Sequence, residues 1–144
     1  MHRTYSESFD DLFITTIGPD TAKENEYWAI ILNFQYTPVG GCQQQVKGDD
    51  EVLFALVNTR TTRYYLKIDG PTGASVNETV VLTVTDGITE DLIEGAVISY
   101  GGVSYKSDAL GQVSLSFEEA GCVQVKAEKA ADSVRSNLFS IDVT

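Results

Sequence analysis

The amino-acid sequence predicts an all-β protein in two parts, and three observations lead to this fold class. Val, Ile, Thr, Tyr and Phe recur in short runs in which apolar and polar residues alternate, as in half-buried strands. Residues that favour helices do not cluster anywhere. Gly, Pro, Asn and Asp interrupt the runs at the spacing of turns in all-β domains, about every ten residues. We therefore expect short strands joined by turns.

The first part begins with a polar lead-in and a short strand. Residues 1–10 contain few apolar side chains, so we expect them to be either frayed or a short lead-in to the first strand, with the chain's one histidine, His2, exposed to solvent. Residues 12–17 alternate as a strand, and Gly18, Pro19 and Asp20 then turn the chain. Residues 21–26 are expected to be a polar connection.

The apolar centre of the first part lies between residues 27 and 56. Read with a period of two, Trp28 shares one strand face with apolar residues 30, 32 and 34, so we expect its large ring to be buried. Residues 52–57 are apolar on both faces, which is typical of a central, covered strand. Residues 64–68 add a further alternating strand.

Residues 69–75 have the composition of a domain boundary, rich in Gly, Pro and small polar side chains. We therefore divide the chain into residues 1–70 and 71–144. The second part contains shorter, more regular runs, and Gly101-Gly102 between two of them predicts a β-hairpin. These runs, which together indicate a small β-sandwich, are residues 79–85, 96–100, 103–105, 113–117, 123–127 and 139–143.

The acidic charge of the chain narrows the classes of partner. With 21 acidic and 10 basic residues, the net charge is −11. Phosphate binding requires clustered Lys and Arg, so we expect no nucleic-acid partner, and an anionic membrane surface is disfavoured for the same reason. No apolar run approaches the length of a membrane span, so we expect no membrane insertion.

Two features favour an extracellular location. Asn77 begins an Asn-Glu-Thr triplet, which is an acceptor sequence for N-glycosylation. Cys42 and Cys122 form an even pair, and the strand phase places Cys122 on an outer face, so we predict a disulfide between them. Closing so long a loop contributes about 4.5 kcal/mol in the chain-entropy model. The alternative is that the partner of Cys42 lies in a segment outside this sequence.

The sequence contains no constellation typical of an enzyme. Nucleophilic catalysis needs a Ser, Cys or Thr beside a base, and the one histidine lies at a chain end. Paired acidic residues suit glycoside hydrolysis or calcium binding, and residues 88–94 suit calcium best. These pairs lie at predicted turns, where solvated acids are common. We therefore expect no catalytic residue, no metal and no cofactor.

Three tyrosines, Tyr36, Tyr64 and Tyr65, are candidate contacts for a ligand or a partner protein. Tyrosines on strands either line a binding surface or pack their rings at the margin of a core. The sequence leaves both interpretations open.

Several motifs of the first part occur in the order found in a known family. A strand with Ile14 precedes a strand from Trp28 to Asn33, and Gly48-Asp49 turns into the run that begins at Val52. This arrangement resembles the transcobalamin-like C-terminal family, and in particular a secreted subgroup from bacteria and fungi. The resemblance implies a partial β-grasp-like sheet, joined to an immunoglobulin-like module. It also implies a possible small-molecule ligand of the vitamin or corrinoid class.

The second part carries motifs of cell-surface modules. They are Val-Thr-Asp-Gly at 84–87, Gly-Ala-Val at 95–97, Ser-Asp-Ala at 107–109 with Gly111, and Ala-Gly at 120–121. These motifs resemble immunoglobulin-like and carboxypeptidase-regulatory-like modules. The resemblance implies a small immunoglobulin-like β-sandwich.

The family pattern begins with a strand and a helix that have no counterpart before Leu12 here. We therefore expect an unpaired sheet edge near residues 12–17. Because exposed edges recruit strands, a second copy, a donated terminus or the removed front of a longer precursor would complete it. The leading functional hypothesis is an extracellular, non-enzymatic adhesion or structural module that contacts a protein partner or copies of itself. The alternative is a secreted module that binds a small molecule.

Overall fold

A computed structural model describes residues 2–6, 11–37 and 45–144, and these residues form β-strands and no helix. The predicted all-β class is confirmed. The chain divides into two compact units, residues 1–62 and 63–144. The division therefore falls before residue 70, because the strand Tyr64–Asp69 hydrogen-bonds to the strand Thr79–Asp86 of the second unit.

The first unit contains two small sheets within its described residues. Their strand orders are β1-β2-β3 and β5-β4-β6. The strands are β1 (His2–Ser6), β2 (Asp11–Ile17), β3 (Asp20–Thr21), β4 (Glu26–Leu32), β5 (Gln35–Tyr36) and β6 (Val52–Asn58).

Residues 2–6 of the polar lead-in form a strand, so the prediction that they are frayed is wrong for this segment. β1 pairs antiparallel with β2, from Arg3 opposite Ile14 to Ser6 opposite Asp11. Strand pairing uses backbone N–H and C=O groups, so a segment with polar side chains can also pair as a strand. β1 covers one edge of β2 from Asp11 to Thr16, whereas β3 pairs with the other edge only at Thr16 and Ile17. The edge that we expected to be open near residues 12–17 is therefore paired within the chain on one side and only at its end on the other.

A tight hairpin joins β4 to β5. Leu32 pairs with Gln35, and Asn33 and Phe34 between them have φ angles of 50° and 58°. Positive φ at both central residues is the signature of a type I′ turn, whose twist matches that of the flanking strands. Asn tolerates this conformation well, whereas Phe adopts it rarely. Phe34 is buried, so the turn directs its ring into the interior.

The second unit contains the strands that form a sandwich-like arrangement. Its sheet orders are β12-β9-β7-β15, β11-β10-β14 and β13-β16-β8. The strands are β7 (Tyr64–Asp69), β8 (Gly73–Ala74), β9 (Thr79–Asp86), β10 (Val97–Tyr100), β11 (Val103–Lys106), β12 (Gln112–Ser116), β13 (Gly121–Val125), β14 (Ala127–Glu128), β15 (Ser133–Val134) and β16 (Phe139–Val143).

The structure confirms one predicted element of this unit and divides another. Tyr100 pairs with Val103 across Gly101-Gly102, so the predicted hairpin is present. The predicted strand 123–127 is instead two strands in different sheets. β13 pairs with β16, and β14 pairs with β10. The chain changes sheet at Lys126, a change that side-chain alternation does not reveal.

The core of the second unit follows the predicted alternation. In β12, Val113 and Leu115 are buried and Ser114 and Ser116 are exposed. Phe117, just after this strand, is the largest fully buried side chain among the described residues. The buried cluster around it consists of Leu66, Ile68, Val80, Leu82, Val84, Ile93, Ala96, Ile98, Val113, Leu115, Val125, Ala127, Ile141 and Val143.

Candidate functional site

The sheet of the first unit has two faces of different burial. Because β4 and β6 pair antiparallel in register, side chains of the same face stand directly opposite each other. One face, here called the deep face, is buried at Ala29, Ile31, Leu53, Ala55 and Val57, and only Tyr27 at its margin is exposed, at 44%. The other, here called the Phe54 face, is apolar but incompletely covered: Trp28, Ile30, Leu32, Val52, Phe54 and Leu56.

Trp28 lies on the Phe54 face and is half-buried, so the prediction of a fully buried ring is wrong. It stands opposite Leu56, and its neighbouring pair is Ile30 with Phe54. Its indole Nε1 is enclosed, and it has no hydrogen-bond partner within the described residues. A buried donor without an acceptor costs free energy, which makes this nitrogen a candidate contact for a bound group.

Phe54 is the most exposed large apolar side chain of this face, at 43%. The sequence predicted a central, covered strand here, but β6 is the last strand of its described sheet. Apolar residues on both sides of a strand usually indicate cover on both sides. The structure covers the deep face and leaves Phe54 accessible.

The hydrogen bonds at the two ends of the β4–β6 ladder show which backbone groups of β6 point away from β4. Asn33 N–H donates to Glu51 C=O at 2.8 Å, and Thr59 N–H donates to Asn25 C=O at 2.7 Å. Hydrogen-bonded pairs alternate along an antiparallel ladder, so odd-numbered residues of β6 face β4. The N–H and C=O groups of Phe54 and Leu56 therefore point outward, and no other described strand pairs with that side.

The end of this outward row is closed locally. Asn58 N–H donates to Thr62 Oγ1 at 2.9 Å, and Thr62 N–H donates to Asn58 C=O at 3.0 Å. The row that remains, here called the β6 edge, consists of the backbone groups of Phe54 and Leu56. It adjoins the Phe54 face, so backbone and apolar side chains are accessible together.

A polar clasp holds the start of β6 against the β4–β5 turn. Asn33 Nδ2 donates to Asp50 Oδ1 at 3.0 Å, and its Oδ1 accepts from Glu51 N–H at 2.9 Å. The other oxygen of Asp50 accepts from Lys47 N–H at 2.7 Å. The pKa of Asp50 is lowered below its ordinary value, and the hydrogen bond from Asn33 is the largest cause. The hydrogen bond from Lys47 N–H and the positive charge of Lys47 lower it further.

The clasp predicts a pH dependence. Because the pKa of Asp50 is lower in the folded protein, its ionised form stabilises the fold above the ordinary aspartate value of about 3.9. That stabilisation is lost as the pH falls through the lowered value. Asn33→Gly should raise the pKa of Asp50 part of the way towards its ordinary value, measured by NMR titration of the side-chain carboxyl carbon.

Asn25→Gly is the control for this titration. Asn25 has the same left-handed backbone as Asn33, with a φ of 66°, and its hydrogen bond to Thr59 uses only its backbone carbonyl. Glycine keeps this conformation in both variants. The pKa of Asp50 should therefore stay lowered in Asn25→Gly, and an unchanged pKa in Asn33→Gly would contradict the role of the clasp.

The three candidate tyrosines have different environments. Tyr36 is 55% exposed on β5, whereas Tyr65 is 6% exposed and offers a partner no surface. Tyr64 is half-buried between two cations: the Arg63 guanidinium is 5.3 Å from its ring centre and Lys129 Nζ is 5.7 Å away. Cation–π contacts within its own unit therefore explain the placement of the Tyr64 ring without a partner protein. Of the three, Tyr36 keeps the accessible surface that a partner contact requires.

The predicted modification sites are partly described. Cys122 is exposed, and the structure shows no disulfide at this residue. Cys42, its predicted partner, lies outside the described residues, so the Cys42–Cys122 bond remains only a prediction from the sequence. Asn77 is exposed in a turn with a φ of 63°, and its N–H donates to Phe117 C=O at 2.8 Å. Its side chain is accessible to a glycosylating enzyme, and glycosylation also stays a prediction.

The acidic segment 88–94 carries hydrogen bonds of its own. Asp86, buried before it, accepts from Ile88 N–H at 3.0 Å and from Thr89 Oγ1 at 3.2 Å. Thr89 Oγ1 is also 2.9 Å from Asp91 Oδ2. Among the described residues, no group of three or more His, Cys, Asp and Glu side chains is arranged to hold a metal ion.

The chain matches no family model and no curated protein. No helix in the described part of the chain is long and apolar enough to cross a membrane. Two adjoining surface features of the described residues combine apolar side chains with outward backbone groups: the Phe54 face and the β6 edge. Sequence reasoning missed both, although the lack of any charge between Val52 and Asn58 was a visible signal.

Proposed function

We propose that this chain is an extracellular, non-enzymatic interaction module that binds a protein partner through the Phe54 face and the β6 edge. The observation that carries the proposal is the 43% exposure of Phe54 in a strand without charged residues. Contiguous exposed apolar surface is typical of interaction sites, and the neighbours of Phe54 on this face are apolar and only half-buried. The extracellular location rests on the accessible Asn77 triplet and on the predicted cysteine pair.

The β6 edge supports this function because it lacks the usual protection. Edge strands normally carry Lys, Pro or a bulge that prevents pairing with other chains. β6 has the sequence VLFALVN, and its pairing with β4 is continuous from Val52 to Asn58. A strand with these properties is suited to receive a further strand by backbone hydrogen bonding.

The test compares two substitutions to lysine at equally exposed apolar positions. Phe54 is 43% exposed on β6, and Val81 is 42% exposed on β9, which lies between two other strands. Phe54→Lys should abolish the attachment of chain-coated particles to each other or to a protein-coated surface. Val81→Lys adds the same charge to a central strand of the second unit and should leave attachment unchanged. Equal loss in both variants would count against the proposed surface.

A second function, binding of a small molecule, is favoured by one observation. Trp28 Nε1 is enclosed on the Phe54 face without a partner among the described residues, and a ligand acceptor would satisfy it. Cobinamide and related corrinoids are the ligands to titrate by calorimetry, given the resemblance of the first part to vitamin carriers. A micromolar affinity that Trp28→Phe weakens would favour this alternative. No heat of binding would leave the protein-contact function as proposed.

A further inference from the structure

We propose that the partner at the β6 edge is a second copy of this chain, and that the two β6 strands pair antiparallel about a two-fold axis at Ala55. This inference rests on the proposed function and names its partner. It concerns the outward backbone groups of Phe54 and Leu56, which no described strand occupies.

The backbone of β6 is complementary to itself in this register. A two-fold axis at Ala55 places Phe54 of each copy opposite Leu56 of the other. Both residues direct their N–H and C=O groups outward, so the two opposed pairs each exchange both hydrogen bonds. Every outward group of the β6 edge is then satisfied. A shift by one residue would oppose outward groups to groups already bonded to β4. A shift by two residues would pair Phe54 or Leu56 with its own counterpart and leave the other opposite an end of the strand. Only the register about Ala55 therefore pairs both residues of the β6 edge with each other.

The side chains match in the same register. Phe54 and Leu56 belong to the Phe54 face, so the exposed ring of one copy lies beside the aliphatic side chain of the other. On the deep face, Leu53 of one copy stands opposite Val57 of the other. Each face of one sheet continues into the same face of its neighbour, and apolar side chains meet apolar side chains from Leu53 to Val57.

The charges at the two ends of β6 are also complementary. Glu51 precedes the strand and Arg60 follows it by two positions, and both are exposed. Antiparallel pairing brings Arg60 of each copy to the end that carries Glu51 of the other. The opposite charges favour this orientation over a parallel one, in which like charges would meet.

β6 is also the most suitable of the strands that end a described sheet. It has 7 residues, whereas β12 and β13 have 5 each and β11 has 4. β11 ends in Lys106, and β12 carries polar side chains on its outer face. Longer, uncharged edges recruit strands most readily.

Sedimentation of the full chain tests whether a second copy binds. Two-strand interfaces are small, so we expect weak dimers that form between micromolar and millimolar concentrations. Phe54→Lys should weaken the dimer at least about tenfold, because it removes the central apolar contact and places a charge at the edge. Val81→Lys should dimerise like the unmodified chain. Circular dichroism of each variant confirms that the strands remain folded.

Cross-linking tests the register. In the proposed pairing, Ala55 meets its own counterpart in a non-hydrogen-bonded pair, where Cα atoms are about 4.5 Å apart, within the range that a disulfide spans. Ala55→Cys should therefore yield a covalent dimer on mild oxidation, with the thiols at position 55 linked to each other in the peptide map. Ala29→Cys, a buried position on the neighbouring β4, should not.

The outcomes separate this inference from the proposed function. A chain that stays monomeric throughout the range, or a dimer that Phe54→Lys does not weaken, overturns self-pairing through β6. A dimer without the cross-link at position 55 overturns the register. If the chain is monomeric but Phe54→Lys still abolishes attachment to a protein-coated surface, the interaction function stands with a different partner. If that attachment is also unaffected, the proposed function fails as well.

Discussion

Phe117→Ala is expected to lower the free energy of unfolding of the second unit by about 3–5 kcal/mol, the usual cost of removing a buried aromatic ring. The ring is fully buried in the core of this unit. It also packs edge-to-face against Tyr100, with ring centres 5.0 Å apart and planes at 88°. Urea unfolding followed through the backbone amide NMR signals of residues 63–144 measures the loss.

Phe139→Ala is the control for this substitution. Phe139 is half-buried and packs against the margin of the same core. Part of its ring is exposed in the folded protein, so its removal takes less surface out of the core and leaves a smaller cavity. The loss for Phe139→Ala should be clearly smaller. Equal losses would show that the core is not centred on Phe117.

The parts of the fold that could be predicted are those set by local sequence. In β12, alternation alone separates Val113 and Leu115 from Ser114 and Ser116, because one face is buried and the other solvated. The Gly101-Gly102 turn was predictable because both residues have positive φ, at 59° and 78°, which glycine adopts without strain.

The strand pairings could not be predicted in the same way. A strand pattern shows which residues share a face but not which strand lies beside it. The sequence pattern therefore assigns the strand at 64–68 to the first part, although it pairs with β9 of the second unit. Likewise, β1 was missed because its contribution is a backbone ladder with β2, which leaves no apolar pattern in the sequence.

The candidate site was hidden for a related reason. A run that is apolar on both faces is found in a central strand and equally in the end strand of a small sheet, so residues 52–57 did not reveal the β6 edge. Asn33 and Asp50 meet although they are 17 positions apart. The pairing of β4 with β6 brings the two residues together. No sequence motif contains both of them, so their contact could not be predicted.

Gly111→Ala is the second substitution with a large expected effect, because glycine is required at this position for two reasons. Gly111 has a φ of 72°, a left-handed conformation that costs residues with a Cβ about 1–2 kcal/mol. A Cβ would also lie 2.5 Å from the carbonyl oxygen of Val84, which is closer than van der Waals contact allows. Overpacking adds about 1–3 kcal/mol. We therefore expect the second unit to lose about 2–5 kcal/mol of unfolding free energy.

Gly102→Ala is the control that separates the steric clash of the added Cβ from the cost of the left-handed backbone conformation. Gly102 has a φ of 78°, close to that of Gly111, but a Cβ there would meet no atom within 4 Å. Its loss should be only the conformational cost of about 1–2 kcal/mol. In Gly111→Ala the displaced backbone also strains the hydrogen bond from Val84 N–H to Gly111 C=O, now 2.7 Å long. The amide hydrogen of Val84 should therefore exchange faster in Gly111→Ala and at an unchanged rate in Gly102→Ala. Equal unfolding free energies for the two variants would rule out the clash.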